Sequence, residues 1–156
     1  MKRLTVAFVL SLALALWAIA PSGSTAHSGA TGIVKMRMDA MKDMQAAMKA
    51  LYPMLNGDQV MDRLSALAHA EAIHDMSGPQ MVKTFPEGSL ERPSEALPAI
   101  WTNWSGFRAA ADDLERKAAA LADALRAPAG VADADGLFKK VVESCKSCHE
   151  EYRKRK

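Results

Sequence analysis

The sequence predicts an all-α protein, an antiparallel four-helix bundle, and three observations carry that prediction. Apolar residues recur at steps of three and four through most of the chain, and no stretch shows the strict alternation of a half-buried strand. Links bearing Pro and Gly cut the periodic part into four segments of roughly 20 residues, each about 30 Å long as a helix. A helix with one apolar stripe exposes it when alone, so the stripes must face one another, and two short links set neighbours antiparallel.

The chain opens on an address. Lys2 and Arg3 precede an apolar run from Leu4 to Ala20 and then small residues, the pattern of a secretory signal peptide. Ser24 and Ala26 place small side chains third and first before a cut, so cleavage is expected after Ala26; a cut after Ala20 would put Pro21 next. An uncleaved membrane tether is the alternative, but a spanning helix wants roughly 20 apolar residues, and this run is shorter and ends in polar Ser and Thr. The chain thus divides into a signal peptide, 1–26, and one exported domain, 27–156, with no membrane association after cleavage. Without Lys2 and Arg3, eighteen basic residues stand against eighteen acids, so no basic excess argues for nucleic acid.

The first helix is expected over 33–51, with Met41, Met44, Met48 and Leu51 along one face, ended by Pro53 and the Asn56-Gly57-Asp58 turn. The second starts at Asp58 as N-cap and turns Val60, Leu64, Leu67 and Ala68 inward, fading near Ser77-Gly78-Pro79. An irregular link with Pro79, Pro86, Gly88 and Pro93 follows. The third opens near Ser94 and carries a heptad seam of Ile100, Trp104, Phe107, Ala111, Leu114, Ala118, Leu121 and Leu125. Pro128 and Gly130 stop it, and a fourth over 132–153 places Leu137, Val141, Cys145, Cys148 and Tyr152 on one side.

Chemistry enters with Cys145-Lys146-Ser147-Cys148-His149, the C-x-x-C-H form of covalent haem attachment. Residues three apart share a helix face, so both thiols can add to the vinyl groups of one porphyrin while His149 offers its imidazole as proximal iron ligand. The motif implies one haem c per chain. Half a zinc site would need a second ligand pair, and His27, His69 and His74 show no paired spacing. A thioredoxin-like redox pair would need a strand before its helix.

The surroundings of the motif resemble the cytochrome c-prime family, and most closely its low-spin, methionine-ligated branch typified by cytochrome c-556. The motif ends within ten residues of the C-terminus and is followed by Tyr152-Arg153; Phe85-Pro86-Glu87-Gly88-Ser89 and Ile100-Trp101 also match that pattern. The resemblance implies a haem between the helices of an antiparallel bundle, often in a homodimer, with the first helix facing the vacant side of the iron. Its register puts Arg37 one turn before the distal residue, and the residue four after Arg37 is Met41. It also implies contact of Arg37 with a haem propionate.

A thioether from Met41 opposite His149 would give a low-spin iron with a raised potential, suited to a periplasmic one-electron carrier. Met38, Met44 and Met48 are rivals for that role, since a helical Met stripe also serves as core filling. If the distal side is open instead, the iron is five-coordinate and binds nitric oxide or carbon monoxide. His69 and His74 fall away from the clearest apolar positions of their helix and read as surface residues. Lys139, Lys140, Lys146 and the run Arg153 to Lys156 could steer an acidic redox partner, although cations also suit a helix C-terminus. No acid/base pair, nucleophile triad or phosphate loop points to an enzyme.

Overall fold

The computed structural model describes residues 29–155, so the signal peptide, the cleavage point after Ala26, His27 and Lys156 lie outside it. Six α-helices follow in order: α1 (Gly32–Leu55), α2 (Arg63–Asp75), α3 (Gly78–Val82), α4 (Ala99–Thr102), α5 (Trp104–Arg126) and α6 (Val131–Tyr152). The four long ones form the expected bundle. Among the described residues the only β pairing is an isolated antiparallel bridge between Ala96 and Arg153.

Helix α5 is the central element, packing most closely against α2 and α6, while α1 lies chiefly on α2. Its heptad seam is buried as expected, except that Trp104 remains partly exposed. The core of the bundle joins Leu51, Ile73, Phe107, Leu121, Leu125 and Val141, each fully buried side chain contributing about 1.5–3 kcal/mol. Helices α1 and α6 meet only slightly, and that gap becomes the site.

Helix starts and stops depart from the expectation in four places. Pro53 does not end α1 but sits inside it; the last turn is held by buried Met54 and closed by the Asn56 N–H donating to the Tyr52 carbonyl at 3.0 Å. A proline one turn from the end removes one bond where the ladder is finishing anyway. The N-cap of α2 is Asp62, whose carboxylate accepts from the Ser65 N–H at 3.1 Å, whereas Asp58 accepts only from Asn56 in the preceding turn. The inward face of α2 is accordingly Ala66, Ala70 and Ile73; Val60 and Leu64 are 88% and 68% exposed and Ala68 is also outside. Small alanines at a four-residue step let α2 approach α5 closely, which larger residues would prevent.

The link after α2 is more ordered than its composition suggested. It begins with one-turn α3, entered through Gly78 at φ +53° and seating Met81 in the core. The third long segment is also broken: α4 stops at Asn103, whose side chain caps α5 by accepting from the Gly106 N–H at 3.2 Å. The other Asn103 end donates to the Tyr152 hydroxyl at 3.1 Å, tying the break to the end of α6.

Candidate functional site

A cleft of about 280 Å3 lies between the first half of α1, the link over 85–96 and the last turns of α6. Met38, Met41 and Lys42 enter it from α1, and Cys148, His149 and Tyr152 from α6; Phe85 and Phe107 form part of its apolar wall. Residues 108 positions apart in the chain, Met41 and His149, therefore share one cavity. Met44 and Met48 do not line it: Met44 is buried in the core and Met48 packs against it. Met38 does line it. His69 and His74 sit on α2, away from the cleft, with His74 beside Asp75.

The α6 motif has the features a covalent macrocycle requires. Cys145 and Cys148 are both half-buried free thiols, three residues apart on one helix. Burial raises the Cys145 thiol above its ordinary value. It pushes Cys148 up to about 11, helped by Cys145 and Glu151. A thiolate is penalised here; a thioether carries no charge and escapes the penalty. Among the described residues no hydrogen bond reaches the His149 ring, and burial, with the charge of Arg153, lowers its pKa and favours the neutral, ligating form. Two unbridged thiols, an imidazole that is exposed and whose pKa is lowered toward the neutral form, and an aromatic-walled cavity fit a haem.

The frame around the motif is polar and specific. Arg153 donates through Nε and Nη2 to one carboxylate oxygen of Glu95, at 2.8 and 2.5 Å. The Leu97 N–H donates to the Tyr152 carbonyl and the Lys154 N–H to the Glu95 carbonyl, so the chain end is stitched to the link. Tyr152 is buried between Phe107, whose ring lies 5.3 Å away edge to face, and Asn103. Burial, reinforced by Glu151, pushes its phenol up to about 12, so it stays neutral.

Arg37 holds the opposite wall. It is 5% exposed; Nε donates to the Thr84 carbonyl, Nη1 to the Ser94 hydroxyl, and Nη2 to the carbonyl and hydroxyl of Ser89, at 2.8–3.2 Å. Its guanidinium also lies 4.2 Å from the centre of the Phe85 ring. Burial lowers its pKa, with Glu91 acting the other way. The residue expected to meet a propionate thus gives four of its five N–H hydrogens to the link. Ser94, expected to open the third helix, lies instead in the link, and helical periodicity marks neither it nor Ser89 and Glu95 as partners of the site, because nothing periodic marks a link residue. The basic cluster is partly neutralised: Lys139 pairs with Asp135, Lys146 with Glu150 and Arg153 with Glu95.

A four-helix bundle with a C-terminal C-x-x-C-H helix beside an open cavity defines a c-type cytochrome of the helical-bundle class. The family described as cytochrome c' matches residues 32–153, and the chain belongs to that family. It is 35% identical over 128 residues to cytochrome c-556 of Agrobacterium fabrum, covering 81% of this chain and 84% of that one. It is 32% identical over 130 residues to cytochrome c' of Rhodopseudomonas palustris, covering 81% and 84%. The structure of cytochrome c prime from Shewanella frigidimarina superposes with a TM-score of 0.73 at 25% identity, covering 79% of this chain and 94% of that one. The cofactor is accordingly haem c, and the protein is an electron carrier or gas binder of that family.

Proposed function

We propose that this chain is a periplasmic one-electron carrier whose haem is bonded to Cys145 and Cys148 and ligated by His149 and Met41. The observation that carries the reading is that Met41 of α1 and His149 of α6 line one cleft, while Met44 and Met48 do not line it. Haem, when bound, supplies the single-electron couple. Each residue has a separate task around it. The two cysteine sulfurs would anchor the macrocycle to α6; the His149 ring would give a nitrogen lone pair; the Met41 sulfur, soft and uncharged, would serve either oxidation state. Glu95 and Arg153 fix the last turn of α6 and thereby the His149 ring. Met81, Phe85 and Phe107 keep water from the interior.

The visible spectrum of the Met41→Ala protein tests this. The low-spin bands and the sulfur-to-iron charge-transfer band should vanish; if they persist, Met41 is not the ligand, and Met38→Ala becomes the next variant to measure. The second reading is a five-coordinate gas binder. What favours it is the flexible, unbranched thioether of Met41, only half-buried and free to swing aside from an apolar wall. It predicts rapid carbon monoxide uptake by the ferrous wild type, whereas the carrier resists it.

Localisation follows the signal peptide read at 1–26, and among the described residues no helix is long and apolar enough to cross a membrane. The expected partner is an acidic redox protein, met by Lys140, Lys154 and Arg155, which are exposed and outside the ion pairs of the cluster. The same reading includes a homodimer through the exposed apolar residues near the α1–α2 turn, and no enzymatic activity.

A further inference from the structure

Among the described residues, three Lys and Arg side chains line the cleft: Arg37 and Lys42 from α1 and Arg153 from the end of α6. Two are committed. Arg37 holds the link through four hydrogen bonds, and Arg153 holds Glu95 through two. Withdrawing Arg37 toward another anion would leave the buried Ser89 carbonyl without its donor, a cost of about 1–3 kcal/mol, and would leave the Ser89 hydroxyl only its bond to the Pro86 carbonyl. Lys42 is different: it is exposed, and among the described residues its ammonium makes no hydrogen bond or salt bridge. The acid one turn back, Asp39, is hydrogen-bonded to Lys35 and is reached by the Lys42 charge only through space, without a contact.

We infer that Lys42 is the cation that meets a haem propionate carboxylate at the mouth of the cleft. The inference rests on the haem reading of the cleft and moves to Lys42 the role that resemblance implied for Arg37. Geometry and solvation agree on it. Lys42 follows Met41 by one residue, about 100° around the helix axis, so it stands beside the ligand position, toward a macrocycle edge. A bound ring would place apolar surface against Met81, Phe85 and Phe107, and a carboxylate would be solvated best at the mouth. A lysine there can lay its aliphatic stem along the apolar wall and keep its charge in water. A positive charge at that edge disfavours the oxidised iron.

The test uses the exported protein, first weighed intact by mass spectrometry to establish the covalent macrocycle. Equilibrium redox titrations then compare wild type, Lys42→Gln, Lys42→Arg and, as a control, Lys35→Gln. Lys42→Gln should shift the reduction equilibrium about threefold toward the oxidised form, Lys42→Arg should restore it and Lys35→Gln should leave it unchanged. A crystal structure of the holoprotein should put Nζ within about 4 Å of a carboxylate oxygen. A propionate held by Arg37, or a Lys42→Gln protein that titrates like Lys35→Gln, overturns the assignment to Lys42 and leaves the haem site standing. A chain without added mass overturns both, and the mass measurement separates that failure from the other.

Discussion

Arg37 is a buried cation whose partners are carbonyls and hydroxyls, not a carboxylate, and its worth lies in the shape of the guanidinium fork. Three link residues, Thr84, Ser89 and Ser94, take their orientation from it. Arg37→Ala should lower stability by about 3 kcal/mol, since it leaves buried acceptors without a donor. Arg37→Lys keeps the charge but has no planar fork, so it should recover less than half of the loss. Urea unfolding midpoints of the two variants against wild type measure this, and equal stability of all three would show that the link needs no clamp. The resemblance to the family singles out Arg37 by its place one turn before the distal residue. Its actual partners were illegible, because which carbonyls a long side chain meets depends on where an aperiodic link runs.

Between elements, α5 and α6 are pinned by a three-membered polar cluster. Lys117 donates to the buried Ser144 hydroxyl at 2.9 Å, Ser144 donates to Asp113 at 2.5 Å, and Lys117 pairs with Asp113 at 2.7 Å. Ser144 directly precedes Cys145, so the pin also sets the rotation of the motif-bearing helix. Hydrogen bonds from Lys117 first, then Ser144, hold the Asp113 carboxyl below the usual carboxylate range. Its folded value lies below its unfolded one, so the stabilisation is fully present above about pH 4, where the unfolded group is ionised, and is lost as pH falls through the folded value. The stability gap between wild type and Asp113→Asn should therefore be widest near neutrality and close in acid; a gap constant from pH 7 to 3 would show that ionisation of Asp113 adds nothing. What could be read at this scale was the existence and order of the long helices and the α5 seam. What could not was which cap wins. Asp58 and Asp62 both suit an N-cap, and the choice fell to the helix face that buries Ala66, Ala70 and Ile73 against α5. The motif on α6 was fully legible because its spacing is local. The cleft wall of Phe85, Ser94 and Glu95 was not, because tertiary packing alone brings those residues to α6.

The whole molecule has two ends with different characters. At one, the start of α1, the link and the end of α6 enclose the cleft. At the other, the α1–α2 turn approaches the α5–α6 connection, where Arg63 donates to the carbonyls of Leu125 and Arg126 at 3.0 and 3.1 Å. Near this second end Tyr52, Val60 and Leu64 are 58%, 88% and 68% exposed. Three large apolar side chains left in solvent at one end of the bundle offer surface for a contact, and members of the family to which the chain belongs can be dimers. A homodimer using this patch would cover it and leave the cleft open to redox partners. Leu64→Glu should then convert the sedimenting species from dimer to monomer, because a carboxylate desolvated at the contact has no counter-charge. The visible spectrum should not change, since the substituted residue lies away from the cleft. A variant that still sediments as wild type would place the contact elsewhere. A loss of dimer accompanied by altered haem bands would mean that the two ends are coupled through the bundle, with α1 as the element that carries both Tyr52 and Met41.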